Sequence, residues 1–189
     1  LKEAEKRYPG LKKFLWGHSM GGGIVLNYLL RRKPNIAGAI ATGPLLKLGF
    51  EPPAFKVFLA KMMKGIYPAF TEKAELDSSA ISRDAAEVQK YNADPYNHGK
   101  ITAGTFLGMF EAGKWAIVNA AELKIPLLLM HGTGDKLTSP AGSVEFASVA
   151  PKHLVTTKWW EGYYHELHNE PEPDRTTVIN YITEWLDSH

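Results

Sequence analysis

The residues Gly17-His18-Ser19-Met20-Gly21 lie between a short apolar run, Phe14-Leu15-Trp16, and a stretch composed like a buried helix, Ile24 to Arg32. No other feature constrains the fold as much. A serine at a tight strand-to-helix turn is held in a strained backbone conformation, and glycines two residues to either side leave room for strand and helix to approach. The turn lifts the Ser19 hydroxyl above the end of a sheet and leaves the Met20 N–H free to face a developing negative charge. The pattern alone also occurs in glycine-rich turns. Here Gly21-Gly22-Gly23 leads into Ile24, Val25, Leu26, Tyr28 and Leu29, apolar nearly all round, as a helix packed on a sheet requires.

A nucleophilic serine needs a base, because an alcohol is almost wholly protonated at neutral pH, and the base needs an acid that fixes its tautomer. In this architecture the chain order is serine, acid, histidine. The strongest strand pattern, Leu127 to Met130, ends in His131-Gly132-Thr133-Gly134-Asp135, which puts Asp135 at a strand's carboxyl end, where active-site groups of open α/β sheets gather. Capping of the next helix is the plainer role for Asp135. A second strand pattern, Thr156 to Trp160, precedes Tyr164-His165-Glu166-Leu167-His168. Both histidines are candidate bases, and His165, the first after the glycine turn, is favoured by loop position.

His165-Glu166 opens like a zinc-binding H-E-x-x-H motif, but position 169 is Asn, so the second ligand one helical turn on is missing and no metal site is expected. His18, His98, His153 and His189 have no partner pattern and are assigned packing or solvated roles. The chain has no cysteine, which excludes thiolate catalysis and disulfides. A formal charge of +2 without a basic stripe gives no reason to expect nucleic acid as a partner. Its 189 residues, 44% apolar and 22% charged, suit a globular domain with one good core. No apolar run reaches membrane-spanning length, and the first residues are charged.

Strand patterns at Leu11–Trp16, Ile36–Ala41, Leu127–Met130 and Thr156–Trp160 alternate with helical segments, the last from about Thr176 to Asp187, and predict a mostly parallel sheet flanked by helices. Residues 1–44 and 120–189 form this α/β core. Residues 45–119 break the alternation and are expected to be an inserted helical cap. Within it Phe55, Phe58, Leu59, Met62, Met63 and Ile66 recur at helical spacing, with Lys56, Lys61 and Lys64 between them. They either pack on the core below or form a hydrophobic lid able to hold an acyl chain and touch a lipid surface. Phe106, Phe110 and Trp115 either wall the same pocket or hold the cap in place.

The motifs G-H-S-M-G-G-G at 17–23, G-P-L at 43–45, S-R-D at 82–84, Y-N-A-D-P at 91–95, H-G-T-G-D at 131–135 and Y-H-E-L-H-N-E at 164–170 resemble those of serine hydrolases with the α/β-hydrolase fold, most closely monoacylglycerol lipases and lysophospholipases. The resemblance implies Ser19 as nucleophile, Asp135 as acid, His165 as base and the Met20 N–H as an oxyanion donor. Leu45 and Leu137 would line the acyl pocket. It further implies lipid degradation by hydrolysis of monoacylglycerols to fatty acid and glycerol, without a cofactor, in a cytoplasmic protein with peripheral contact to membranes or lipid droplets. Lysophospholipids or short-chain esters are alternative substrates, and a non-catalytic, incomplete hydrolase domain that binds lipid or a partner is the alternative of another class. Strands that precede the elbow in the family, with the loop giving a second oxyanion N–H, are not in this sequence. An N-terminal segment or a second chain is therefore expected to complete the fold.

Overall fold

The computed structural model describes residues 1–67, 69–74 and 76–189. In chain order its helices and strands are α1 (Lys2–Arg7), β1 (Phe14–His18), α2 (Met20–Arg32), β2 (Gly38–Thr42), α3 (Ala54–Ile66), β3 (Thr71–Lys73), α4 (Ala85–Ala93), β4 (Lys100–Thr102), α5 (Ala103–Val118), β5 (Leu127–Gly132), α6 (Pro140–Val149), β6 (Val155–Trp160) and α7 (Asp174–Asp187). The four expected strands pair in the order β1-β2-β5-β6, all parallel. Parallel neighbours need crossovers, and these put helices on both faces, so the central strands must be apolar throughout. Every residue of β2 and β5 is buried accordingly.

Alternation of side chains along these strands divides the core in two. On one face Ala39, Ala41, Leu127 and Leu129 meet Val25, Leu26, Leu29 and Leu30 of α2, Ala116 of α5 and Phe146 of α6. On the other, Ile40, Leu128 and Met130 meet Val178, Ile182 and Trp185 of α7. Each wholly buried leucine contributes about 1.5–3 kcal/mol of transfer free energy.

Three local expectations are corrected. β1 begins at Phe14 rather than Leu11, because the ladder with β2 starts at the pair Phe14 and Gly38. The α2 helix is not covered all round: Ile24 is 60% exposed and Tyr28 37%. Gly21, expected to clear space beside the elbow, would carry a Cβ into open space, whereas Gly22 and Gly23 are the glycines pressed against Pro44 and Leu45.

Between β2 and β5 lie α3, α4 and α5 with the small antiparallel pair β3–β4. The apolar stripe of α3 divides rather than packing as one face: Leu59 turns toward a cavity, while Phe55, Phe58 and Ile66 are strongly exposed. Lys64 of α3 pairs with Glu111 of α5. Trp115, near the end of α5, packs on the sheet core under the Arg31 guanidinium.

Candidate active site

Ser19 closes β1 and opens α2 with φ 55° and ψ −122°, a conformation disfavoured for any residue with a Cβ. Backbone hydrogen bonds over-determine it: its N–H donates to the Thr42 carbonyl at 3.0 Å, and its own carbonyl accepts from Gly23 and Leu45 N–H. The turn is tight enough that a Cβ on Gly17 would stand 2.3 Å from the Gly21 carbonyl oxygen and 2.7 Å from Val25. Met20 is the first residue of α2, so its N–H has no acceptor within the helix.

Asp135 follows β5 and is buried. One carboxylate oxygen accepts from the Leu137 and Thr138 N–H groups at 2.8 and 3.0 Å. The other accepts from the Thr138 hydroxyl at 2.8 Å, from His131 Nε2 at 3.1 Å and from His165 Nδ1 at 2.7 Å. Burial alone would raise its pKa, but the bonds from His131 and His165, with the positive charge His165 can carry, outweigh burial and hold it well below the usual carboxylate range. Asp135 is therefore an anion whose shared oxygen keeps a proton on His165 Nδ1 and leaves Nε2 as the accepting nitrogen.

His165 is buried in the loop after β6. Its ring centroid lies 4.5 Å from that of His18, whose ring is also 5.2 Å from His168. His18 Nδ1 donates to the Thr42 carbonyl at 3.0 Å, and burial, with the neighbouring His165 and His168, pushes its pKa down to about 3. A neutral His18 thus packs against His165 without repelling a charge formed there. His168 lies edge-on to Trp16 at 5.6 Å, its pKa lowered chiefly by burial. The structure brings His165, not His168, to Asp135.

Ser19, Met20 and His165 open on one cavity of about 600 Å³. Leu45 and Leu137 are among its lining residues, and Leu59, Phe70, Phe106 and Met109 form apolar walls from the 45–119 segment. Phe110 and Trp115 are not among its walls. Among the described residues no hydrogen bond joins Ser19 Oγ to the His165 ring; both face the cavity, and such bonds commonly tighten only with substrate bound.

Sequence reasoning missed three supports of Asp135. His131, wholly buried, accepts from the Ser143 hydroxyl at 2.8 Å through Nδ1 and donates to Asp135 through Nε2. Thr138 adds its hydroxyl. The signal for His131 was its place four residues before Asp135 on the same strand end; Ser143, on α6, had none.

The chain is similar to known proteins over most of its length. The family model Hydrolase_4, described as serine aminopeptidase, S33, matches residues 1–172. A monoacylglycerol lipase of Mycolicibacterium smegmatis is 35% identical over 98% of this chain and 66% of its own length. The monoglyceride lipase of Homo sapiens is 33% identical over 96% of this chain and 60% of its own. The crystal structure of Paleococcus ferrophilus monoacylglycerol lipase superposes with a TM-score of 0.91 at 33% identity, covering 100% of this chain and 73% of the other. The chain thus spans less than two thirds of the length of these curated relatives.

Proposed function

The chain belongs to the Hydrolase_4 family, with an α/β-hydrolase fold, and from that membership we propose that it acts as a serine ester hydrolase cleaving monoacylglycerols to fatty acid and glycerol. One observation carries the reading: a strained Ser19 and an Asp135-bound His165 open together on an apolar cavity.

In this mechanism His165 Nε2 takes the Ser19 proton as Oγ attacks the ester carbonyl carbon. The tetrahedral oxyanion accepts from the Met20 N–H, while Asp135 stabilises the imidazolium without taking its proton. The C–O bond to the glyceryl group breaks, and His165 protonates the leaving alcohol. Water, deprotonated by the same nitrogen, then attacks the acyl-enzyme, and the fatty acid leaves as Ser19 recovers its proton. Leu45 and Leu137 would contact the acyl chain. Leucines, Phe106 and Met109 around the cavity favour a medium or long chain over a small ester, and they suit an acyl group better than the peptide substrate in the family's description.

The exposed side of α3, with Phe55, Phe58 and Ile66 beside Lys61 and Lys64, lies next to residues lining the cavity and supports peripheral contact with a membrane or lipid droplet. No described helix is long and apolar enough to cross a membrane. Replacing Phe55 and Phe58 by Asp is expected to weaken co-sedimentation with vesicles by about tenfold or more while leaving hydrolysis of a soluble ester unchanged. Undiminished vesicle binding would refute the lid's role.

The catalytic reading is tested by treating the protein with a fluorophosphonate, mapping the adduct by peptide mass, and assaying monoacylglycerols beside lysophospholipids and an aminoacyl anilide. Adduct at Ser19 with preference for monoacylglycerol is expected. A folded sample that takes no label would overturn the enzyme reading, and a preference for the anilide would return the chain to peptidase chemistry.

A further inference from the structure

The loop carrying His165 contains a buried charge that the chemistry above does not use. Glu170 is wholly buried. Its Oε1 accepts the N–H of Tyr164, the residue before His165, at 2.5 Å. Its Oε2 accepts from the Arg83 backbone N–H at 3.2 Å and from Arg83 Nε at 2.9 Å. On the other side of the histidine, the Glu166 N–H donates to the Ile81 carbonyl at 2.7 Å. Between these two contacts the Ser82 hydroxyl donates to the Asn169 carbonyl at 2.7 Å. The peptide N–H groups on both sides of His165 are thus tied, directly or through Glu170, to the segment 81–83.

From this we infer that Arg83 and Glu170 are positioning residues that fix the backbone of His165 so that its ring reaches Ser19 and Asp135 together. The inference rests on His165 being the base. A carboxylate without exposure is costly unless paired and hydrogen-bonded, and the fork of Arg83 supplies the pair while a second nitrogen, Nη2, anchors on Asp174 at 2.6 Å. The Arg83 guanidinium also covers the Tyr163 ring at 4.3 Å, two residues before the histidine. A simple surface ion pair would touch neither side of the base. Ile81, whose carbonyl accepts the Glu166 N–H, also lines the cavity, so one segment sets both a wall of the pocket and the height of the base. Misplacement of a catalytic group by about 1 Å costs up to ~10²-fold in rate.

The test uses the full-length protein with Arg83→Ala, Arg83→Lys and Glu170→Gln, beside Lys90→Ala as a control on α4. Rates on a soluble chromogenic ester are normalised to the folded fraction by circular dichroism, and the low-field proton resonance of His165 Nδ1 is recorded for each. Arg83→Ala is expected to lower kcat at least tenfold with KM within twofold, to slow fluorophosphonate labelling in parallel, and to shift or broaden the low-field resonance. Arg83→Lys, which keeps a cation but loses the fork, should recover part of the rate. Should Glu170→Gln fail to fold, the Arg83 pair still decides the matter, since that side chain is partly exposed. Folded Arg83 variants with wild-type kcat and an unshifted resonance, whatever their melting temperature, would overturn the inference. Full activity of His165→Ala would instead defeat the assignment of the base.

Discussion

Replacing Asp135 by asparagine keeps the size of the side chain and changes which nitrogen of His165 carries the proton. One Asp135 oxygen receives the Leu137 and Thr138 N–H groups at 2.8 and 3.0 Å, and an amide placed there must keep its oxygen on that side. Its NH2 group then faces His165 Nδ1 across a 2.7 Å contact that in the parent is N–H to carboxylate. Two donors cannot share that line, so the imidazole proton moves to Nε2, the nitrogen that has to accept from Ser19. The wrong tautomer costs about 10⁴ in kcat, equivalent to about 5.5 kcal/mol of barrier. Asp135 does not line the cavity, so KM should change little. Steady-state hydrolysis of a soluble ester measures both constants, with urea unfolding run alongside, because a lost charge-assisted hydrogen bond costs about 1.5–3 kcal/mol of stability. His168→Ala belongs in the same series and should stay within about threefold of wild type, since the imidazoles bonded to Asp135 are those of His131 and His165. A folded Asp135→Asn protein with kcat within tenfold of wild type would refute the tautomer reasoning, and an equal loss in His168→Ala would move the base to that residue.

Gly17→Ala forces a Cβ to within 2.3 Å of the Gly21 carbonyl oxygen, a backbone atom that cannot rotate away; destabilisation of about 3 kcal/mol or more is expected from the urea midpoint, and a loss under 1 kcal/mol would mean that the elbow is looser than described. The pH dependence of stability has a defined sign. Burial pushes the folded pKa of His18 down to about 3 against 6.5 for the free side chain, so between those values the unfolded chain binds the extra proton and stability falls by about 1.4 kcal/mol for each unit the pH drops. His168 shifts in the same direction, and the lowered pKa of Asp135 adds a loss below the ordinary carboxylate range. Urea midpoints from pH 6.5 to 4.5 should fall steeply for the parent and less steeply for His18→Asn; parallel slopes would show that His18 is not held neutral.

The sheet was legible because its signal is local. Leu127 to Met130 and the run through Ile40 are apolar on both faces, which a doubly covered parallel strand requires and a surface segment does not tolerate. Ser19, Asp135 and His165 were legible for a related reason: Ser19 directly follows β1, and Asp135 and His165 lie in the loops that leave the carboxyl ends of β5 and β6. What lay hidden depends on contacts between distant segments. Ser143 on α6 meets His131 across the core, and Arg83 meets Glu170 from within the inserted segment, with no periodicity joining them. The α3 stripe was ambiguous because helical spacing is the same whether the partner is core, ligand or nothing, and here Leu59 and Phe58 on one helix have different surroundings.

The strand order explains why histidine, and not the acid, must reach the serine. Ser19 ends β1 and Asp135 follows β5, with β2 between them. Neighbouring strands are about 4.8 Å apart, so the two residues spring from positions about 10 Å apart across the sheet, too far for a carboxylate to touch a hydroxyl. An imidazole with nitrogens on opposite sides spans such a gap if the end of β2 is clear. Gly43, the residue after β2, clears it: with φ +49° it takes a backbone conformation that favours glycine, and a Cβ there would stand 3.2 Å from His165 Nδ1 and 3.4 Å from the bonded oxygen of Asp135. Gly43→Ala is therefore expected to lower kcat by about tenfold or more by pressing on the His165–Asp135 contact. Fluorophosphonate labelling of the folded variant, followed against time, isolates that effect from substrate binding. Labelling at the wild-type rate would show that the space above β2 is not what holds the imidazole in line.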